Sequence, residues 1–318
     1  MKPVTSPLAG APPTPQREAE HHALLPSTGR LMLGALKRRQ PLRAQPTLPP
    51  LAISTRLEQP SSEWLRAYRE ICGLSQEGGW TLCAPQVFAV RPQLALLTDP
   101  RCPLPALGMV HCESLICAER PVPSEGTLTI RCHIDPEASW GERGLRFSLW
   151  SELFEGEQRC WWSKTQILSP RAGRPGARQG PRKATQKPSG GLDQIENFRL
   201  AADLGRRYGK IAGDRNPIHL WPWSARLFGF KRPIIHGMWS LARAYTALGG
   251  GDLTPGERLW ARFQRPVMLP GALELYAASA THQDEEVGQA RNFELWLPNA
   301  EGRRAVEGSW SRTSLSPL

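Results

Sequence analysis

The chain has 318 residues and a formal net charge of +11, because 40 lysines and arginines outnumber 29 aspartates and glutamates. This length fits one large domain or two domains of ordinary size. Hydrophobic residues make up 40% of the chain, which excludes a wholly disordered protein. The sequence contains no apolar run of about 18 residues, so it predicts no transmembrane helix.

Almost all of the net positive charge lies in two proline-rich segments. Residues 1–50 carry seven basic and two acidic residues, and residues 169–193 carry six basic residues and one acidic residue. Neither segment has hydrophobic periodicity, so we predict a flexible basic tail over 1–50 and a basic interdomain linker over 169–193. Binding of nucleic acid or of an acidic carrier protein by these arms is the alternative. No nucleic-acid-binding motif accompanies them, so we expect no nucleic-acid partner.

The start of the chain lacks the apolar region and cleavage site of a secretory signal peptide. Seven cysteines lie within residues 72–160. An odd number without a signal peptide indicates free thiols in a reducing compartment, and we therefore expect a cytoplasmic protein. Cys112, Cys117 and Cys132, with the histidine that follows the last of them, could be imagined as metal ligands. No CxxC pair exists, so buried apolar positions are the favoured interpretation.

The first half of the chain, residues 51–168, is typical of one apolar helix followed by strands. The run Ala84–Thr98 predicts a buried helix that Pro92 kinks or breaks. Segments bounded by glycine, proline or acidic turn residues then predict four strands. These strands are Gly108–Ala118, Gly126–Ile134, Gly144–Phe154 and Gln158–Leu168.

The second half, residues 194–318, repeats this outline. Helices are predicted over Leu200–Ile211 and Gly237–Leu248, on either side of a loop that contains glycine and proline. The four strand candidates are Glu257–Met268, Leu273–His282, Gln289–Leu297 and Arg304–Arg312. Each half therefore fits an α+β unit in which an antiparallel sheet wraps around an apolar helix, and two such units can extend one sheet.

The densest set of reactive side chains lies in Tyr208–Met238. Asp214 and His219 share one compact loop, because Gly213 permits a tight turn and Pro217 prevents a continuing helix. A carboxylate and an imidazole that face the same water can act as a general acid/base pair. This spacing alone is a weak signal, and it gains weight from the residues that follow.

A histidine and a glycine, His236 and Gly237, open the second predicted helix of this half. The first N–H groups of a helix have no partner within it and carry the positive end of its dipole. Such donors can hold a developing oxyanion, and Gly237 would allow a substrate to approach the backbone closely.

In combination, these residues closely resemble the hydratase signature of the MaoC-like dehydratases, the (R)-specific enoyl-thioester hydratase group. The matching residues are Tyr208, Gly213, Asp214, Asn216, Pro217, Ile218, His219, Gly229, Phe230, Pro233, Ile234, His236, Gly237 and Met238. Ala212 stands where the family usually has serine, which removes a loop hydroxyl and leaves the acid/base pair intact. Arg262–Gly271 also resembles a strand of the same fold.

The resemblance implies a double hot-dog fold, in which each unit is an antiparallel sheet wrapped around a central helix. The motif is present in residues 194–318, which would form the catalytic unit. Residues 51–168 would form a unit without the motif that shapes the acyl pocket and completes the sheet. His111 lies in a strand-like run without an aspartate at suitable spacing, so we predict that it is structural.

The resemblance further implies reversible hydration of trans-2-enoyl thioesters to (3R)-hydroxyacyl thioesters, a hydro-lyase reaction of fatty acid metabolism. Asp214 and His219 would exchange protons with the water and with C2, Asn216 would orient this pair, and the Gly237 N–H would stabilise the thioester oxygen. The implied substrate-binding residues are Tyr208, Arg215, Pro233, Ile234, His236 and Met238. No metal or other cofactor is implied, and no nucleotide-binding glycine motif is present.

The implied partner is an acyl thioester of coenzyme A or of acyl carrier protein, and the implied assembly is a monomer or a homodimer. Basic residues could contact phosphate groups, although ordinary surface charge is at least as well supported. They are Arg215, Arg226, Lys231 and Arg232. Trp221 and Trp223 could line the pocket, but packing is the favoured interpretation. An acyl-thioester hydrolase and a non-catalytic binding module remain as alternatives.

Overall fold

The structure, a computed structural model, describes residues 20–21, 25–37, 42–105, 107–171, 188–279, 290–298 and 303–313. These residues form eleven strands, six α-helices and one 3₁₀ turn. The strands are β1 (Glu20–His21), β2 (Ala52–Leu57), β3 (Val110–Ala118), β4 (Leu128–Gly141), β5 (Gly144–Glu155), β6 (Gln158–Pro170), β7 (Asp193–Leu200), β8 (Glu257–Phe263), β9 (Gly271–Ala277), β10 (Arg291–Leu297) and β11 (Arg303–Arg312). The helices are α1 (Thr28–Lys37), α2 (Ser62–Ile71), α3 (Pro85–Thr98), α4 (Leu204–Ala212), α5 (Pro222–Arg226) and α6 (Gly237–Ala247), and the 3₁₀ turn is Pro217–His219.

All eleven strands belong to one sheet, in the order β1-β2-β4-β5-β6-β3-β8-β11-β10-β9-β7. Neighbouring strands pair antiparallel except for β1 and β2, which are parallel. The two halves of the chain meet where β3 pairs with β8, from Glu113 opposite Arg262 to Cys117 opposite Arg258. At this seam Arg262 Nε lies 2.7 Å from Glu113 Oε1. The sheet is therefore continuous across both halves.

Helix α3 is the buried helix of the first half and packs against β2, β4 and β5. Its first residue is Pro85, a position where a missing N–H removes no helical hydrogen bond. The helix continues through Pro92 to Thr98, so this proline does not end it. Pro92 is buried, and burial of its ring among apolar neighbours offsets the lost backbone hydrogen bond.

Helix α6 is the corresponding helix of the second half and packs on β8. Trp239, Leu241 and Tyr245 on this helix are buried. The indole Nε1 of Trp239 donates a 2.8 Å hydrogen bond to the carbonyl of Ile71 at the end of α2, which fixes α6 to the first half. The predicted α+β class and double hot-dog architecture, a sheet around one buried helix in each half, are confirmed.

Part of the segment predicted as a flexible tail is folded. Helix α1 packs on α3, and Arg91 Nε donates a 2.9 Å hydrogen bond to the carbonyl of Pro26. Leu25 and Leu31 are buried, so apolar side chains in this stretch find a partner in α3. Residues 1–19, 22–24 and 38–41 of the predicted tail, and residues 172–187 of the predicted linker, lie outside the described residues.

Several described elements have no counterpart in the sequence prediction, namely β1, α1, β2, α2, β7 and α5, together with the 3₁₀ turn. Strand β7 occupies Asp193–Leu200, where the prediction has the end of the linker and the start of a helix. The strand predicted over Leu273–His282 is shorter in the structure and ends at Ala277. Residues 280–289 lie outside the described part of the chain.

The seven cysteines are all free, and six of them are buried, which confirms the prediction of unpaired thiols. Among the described residues, no helix combines the length and the apolar composition that crossing a membrane would require. The cytoplasmic location itself remains a prediction.

Candidate active site

The loop that carries Asp214 and His219 is held by its own side chains. Helix α4 ends at Ala212, and Gly213 adopts the left-handed conformation, with φ +67°, that turns the chain into the loop. Asp214 Oδ1 then accepts a 3.1 Å hydrogen bond from the N–H of Asn216. Asn216 Oδ1 accepts one of 3.4 Å from the N–H of Ile218 and so caps the 3₁₀ turn. The tight turn predicted from this spacing is present.

Two glycines of α4 allow that loop to pack directly against the helix backbone. A Cβ atom added to Gly205 would lie 2.3 Å from the carbonyl oxygen of His219. A Cβ atom added to Gly209 would lie 2.7 Å from the carbonyl oxygen of Asp214. Because these glycines are one helical turn apart, a single face of α4 receives the backbone of both candidate catalytic residues.

The imidazole of His219 has a defined tautomer. His219 is buried, and its Nδ1 lies 2.8 Å from the carbonyl oxygen of Ile234. Since a carbonyl can only accept, Nδ1 carries the proton and Nε2 presents a lone pair. Ile234 is itself fixed, because its N–H donates to the carbonyl of Ile218 at 3.1 Å. His219 is therefore oriented as a hydrogen-bond acceptor at Nε2.

His236 lies beside this pair as the residue that precedes α6. Its ring stacks on that of His219, with centroids 3.6 Å apart and planes 24° apart. Its Nε2–H donates to the backbone carbonyl of Asp214 at 3.1 Å, and the same nitrogen lies 3.7 Å from Asp214 Oδ2. The ring of Tyr208 packs at a tilt against that of His236, with the two centroids 5.0 Å apart. His236 thus positions both members of the predicted pair.

The charge states of these groups follow from burial and from their proximity to one another. Burial opposes ionisation of Asp214, but the His236 and His219 rings and the N–H of Asn216 outweigh it, so its pKa lies below the usual value. Burial lowers the pKa of His219, although Asp214 acts in the opposite direction. Burial and the adjacent His219 lower the pKa of His236 to about 3. At neutral pH the site therefore holds a carboxylate beside two stacked, neutral imidazoles.

Histidines whose pKa is lowered by folding make stability depend on pH. Burial lowers the pKa of His111 to about 4, that of His133 to about 4 and that of His236 to about 3, against an ordinary value near 6.5. Below pH 6.5 the unfolded chain therefore binds more protons than the folded one. We expect the free energy of unfolding to be largest above pH 6.5 and to fall towards pH 4, by at most about 1.4 kcal/mol per pH unit for each histidine.

Urea unfolding at pH 7.5, 6 and 5 measures this dependence. His133 is not among the residues that line the cavity described below, so His133→Phe should reduce the slope and leave turnover unchanged. A free energy of unfolding that stays constant from pH 7.5 to pH 5 would contradict the expected charge states.

One group of possible metal ligands occurs among the described residues, and it is this same site. The ligand atoms of Asp214, His219 and His236 all lie within 4.8 Å of one another. A zinc ion requires lone pairs that converge on one point about 2.0–2.2 Å from each ligand. The two imidazole rings are stacked with centroids 3.6 Å apart and planes only 24° apart, so their in-plane lone pairs lie in nearly parallel planes, which is unfavourable for convergence on one ion. The arrangement fits proton exchange better than metal coordination.

Asp214 and His219 face a cavity of about 750 Å³ between the two halves of the chain. The side chain of Asp214 keeps 35% of its surface open to this space. Both halves supply apolar walls. The first half contributes Val87, Val90, Leu107, Met109 and Val110, and the second half contributes Ile218, Phe228, Phe230, Ile234, Met238 and Phe263. The cavity therefore combines one polar cluster with a large apolar volume, as small-molecule binding sites do.

Gly237 is the first residue of α6 and also lines the cavity. A Cβ atom added to it would lie 2.9 Å from the ring of Phe263, so the ring rests against the bare backbone. The N–H groups of this first turn have no partner within the helix. The helix start predicted as an oxyanion site thus opens on the same cavity as Asp214 and His219.

The structure brings most of the predicted site residues together. Eight of them line the cavity, namely Tyr208, Asp214, Asn216, His219, Ile234, His236, Gly237 and Met238. Arg215 and Pro233 do not line it. Arg215 is exposed, and Pro233 is buried with its carbonyl accepting a 2.8 Å hydrogen bond from the N–H of Leu269. Arg215 therefore contributes surface charge, and Pro233 contributes to packing beside the cavity.

The basic and aromatic residues that follow the loop lie on the surface. Arg226, Lys231 and Arg232 are exposed and are not among the cavity residues. Trp221 carries the guanidinium of Arg206 over its ring at 4.0 Å, and Trp223 is 65% exposed. Neither tryptophan lines the cavity. The predicted packing holds for Trp221, whose ring contacts Arg206, whereas Trp223 lies largely exposed on the surface.

The first half of the chain contributes to the polar part of the cavity, which is not predicted from the sequence. His111 on β3 lines the cavity near Asp214, although it is predicted above to be structural. His111 reaches the site through the pairing of β3 with β8, which places it next to the end of β8. That pairing joins residues about 150 positions apart and is not visible in local sequence.

Comparison with known proteins places the matching family domain mainly in the second half of the chain. Residues 183–294 match the family model of the MaoC-like domain. Over 212 residues the chain is 29% identical to 3-hydroxyacyl-thioester dehydratase X of Mycobacterium tuberculosis, covering 67% of this chain and 74% of that protein. Over 112 residues it is 36% identical to 3-hydroxyacyl-thioester dehydratase Y of the same organism, covering 34% of this chain and 38% of that protein.

Solved structures show the same fold. The crystal structure of HtdX from Mycobacterium tuberculosis superposes with a TM-score of 0.65 at 26% identity, over 81% of this chain and 99% of that chain. A MaoC-like dehydratase from Phytophthora capsici superposes with a TM-score of 0.64 at 19% identity, over 84% of this chain and 95% of that chain. The class defined by fold and site is thus the double hot-dog. Within that class, residues 183–294 match the MaoC-like domain, and the chain is similar to the dehydratases named above, in line with the predicted resemblance.

Proposed function

We propose that this protein catalyses the reversible hydration of trans-2-enoyl thioesters to 3-hydroxyacyl thioesters. The observation that carries the proposal is the juxtaposition of Asp214 and His219 in one acyl-sized cavity, with reactive atoms within 4.8 Å and a fixed tautomer on the histidine. The relatives named above support it, since their names describe dehydratases of 3-hydroxyacyl thioesters. The enzyme would accordingly be a hydro-lyase.

In the proposed mechanism, Asp214 and His219 hold one water between them. Both groups are unprotonated acceptors at neutral pH, so each takes one hydrogen of the water and a lone pair of its oxygen is directed at C3. Nε2 of His219 removes a proton as the C3–O bond forms, because its lone pair faces the water while its Nδ1–H is held by the carbonyl of Ile234, and the Asp214 carboxylate accepts the second hydrogen of the water. His219 then delivers this proton to C2. Water is thereby added across the double bond, and the histidine returns to its neutral state.

The carbonyl oxygen of the thioester gains negative charge while C3 is attacked. The N–H of Gly237, at the positive end of α6, would donate to this oxygen. Removal of one such donor typically costs about 3 kcal/mol of transition-state stabilisation. The ring of Phe263 packs against the backbone of Gly237 beside this donor.

The remaining predicted residues would support this arrangement. Asn216 and His236 position the pair through the hydrogen bonds described above. Tyr208, Ile234 and Met238 would contact the bound acyl thioester from the cavity wall. The (3R) configuration of the product, the choice between coenzyme A and acyl carrier protein, and a monomeric or homodimeric assembly are parts of the proposal that the resemblance alone supports.

Two substrates separate hydration from the hydrolase alternative. Purified protein is given a short trans-2-enoyl-CoA and the saturated acyl-CoA of equal length. We expect loss of the enoyl-thioester absorbance with the first substrate and no release of free thiol with either. Thiol release from the saturated thioester would favour a hydrolase, and absence of any reaction across a panel of chain lengths would favour a non-catalytic binding module.

A further inference from the structure

The inference concerns His111, which the first half of the chain contributes to the cavity. His111 lies on β3, and its ring packs on that of Phe263 with centroids 4.6 Å apart. Phe263 in turn covers the backbone of Gly237, the proposed donor to the thioester oxygen. His111 therefore lies at the thioester end of the proposed site.

The hydrogen bonds of His111 define which nitrogen is available. Nε2 lies 3.2 Å from the carbonyl oxygen of Glu113 and 2.8 Å from Ser114 Oγ. A carbonyl can only accept, so Nε2 carries the proton and Nδ1 presents a lone pair. The hydroxyl of Ser114 faces Met238 Sδ at 3.9 Å, which is consistent with Ser114 accepting from Nε2 and donating onward. The described residues offer no hydrogen-bond partner to Nδ1.

His111 is a polar residue in a part of the cavity wall that is otherwise apolar. Burial lowers the pKa of His111 to about 4, so the ring is neutral at physiological pH even though Asp214 acts in the opposite direction. Val110, Leu107 and Met109 next to it in the wall are apolar. A neutral acceptor among apolar side chains gains most from a ligand that supplies a single donor at that point.

Acyl thioesters of coenzyme A and of carrier proteins share one donor close to the sulfur. It is the amide N–H of the pantetheine arm, two methylene groups from the thioester. We infer that Nδ1 of His111 accepts a hydrogen bond from this amide and so positions the thioester against Gly237. The inference rests on the proposed function and extends it, because it assigns a substrate-binding residue to the half of the chain that lacks the motif.

A pair of model substrates isolates this one hydrogen bond. The S-(2-acetamidoethyl) enoyl thioester keeps the amide N–H, whereas the S-(2-acetoxyethyl) thioester replaces N–H with oxygen and is otherwise the same. We expect the wild-type protein to hydrate the amide with a kcat/KM about tenfold higher, the range of one neutral hydrogen bond. His111→Phe keeps the ring against Phe263 but removes both nitrogens, and we expect it to abolish this preference.

Two further variants serve as a partial rescue and as a control. His111→Asn places an amide oxygen near the position of Nδ1, so part of the preference should return. Val110→Ala, which alters the adjacent apolar wall, should change both rates equally and keep the preference. A preference that survives in His111→Phe would overturn the inference, as would a wild-type protein that hydrates both thioesters equally well. Failure of the wild-type protein to hydrate either thioester would overturn the proposed function and the inference together.

Discussion

Asp214→Asn is expected to lower kcat for enoyl-thioester hydration by about 10²–10⁴-fold, the usual contribution of a positioned acid/base group. The amide keeps the size of the side chain, but it loses the charge that holds the water and that favours proton uptake by His219. His219→Ala should cause a loss of the same order because it removes the base itself. Initial rates measured from enoyl-thioester absorbance test both variants.

Asp203→Asn is the matched control for this experiment. Asp203 precedes α4 and makes no side-chain capping bond there, and it does not line the cavity. It should therefore keep wild-type turnover. Circular dichroism and the melting temperature establish that the Asp214 and His219 variants stay folded. Wild-type rates in either folded variant would remove the acid/base assignment.

Gly209→Ala and Gly205→Ala are expected to lower both activity and stability, although neither residue touches the substrate. Alanine at an ordinary helical position stabilises a helix by about 1 kcal/mol relative to glycine. Here the added Cβ meets the carbonyl of Asp214 at 2.7 Å or that of His219 at 2.3 Å. Relief of this overlap must displace the catalytic loop, and overpacking of this kind costs about 1–3 kcal/mol.

Lys210→Ala provides the control on the same helix, because this side chain is exposed. It should leave the melting temperature and kcat close to the wild-type values. The glycine variants should show a lower melting temperature together with a lower kcat. If Gly209→Ala instead raised the melting temperature and kept full activity, the close approach of α4 to the loop would not be what positions Asp214.

The candidate site was predictable from sequence to the extent that its residues are close together in the chain. Asp214, Asn216 and His219 lie within one loop whose turn is set by Gly213 and Pro217, so local rules suffice to bring them together. The stacking of His236 on His219 needs the hairpin-like return of the chain through Ile234, which the motif implies only by resemblance.

The part of the site that comes from the first half was not predictable in this way. The cavity needs α3 and the start of β3, and these reach Asp214 only through the pairing of β3 with β8. Such long-range pairing leaves no local periodicity in the sequence, so His111 reads as one polar residue in an apolar strand. The close packing of Gly205 and Gly209 was hidden for the same reason, since a glycine inside a helix shows no contact until its neighbour is placed.

The fold shows the same contrast between local and long-range information. Strands with clear turn residues at both ends, such as β5 and β6, are found close to their predicted bounds. Helix α1 was missed because its own residues are too few to form a core, and it becomes stable only against α3. Strand β7 follows a linker without periodicity and pairs at the sheet edge with β9.

The central claim is that Asp214 and His219 add one water to C3 of an enoyl thioester, and isotope labelling tests it most directly. Wild-type protein is incubated with a trans-2-enoyl-CoA in water enriched in oxygen-18 and deuterium, and the product is analysed by mass spectrometry. We predict a 3-hydroxyacyl thioester with one oxygen-18 at C3, one deuterium at C2 and the thioester intact. Oxygen-18 in a free carboxylate, with release of thiol, or recovery of unlabelled enoyl thioester alone, would contradict the claim.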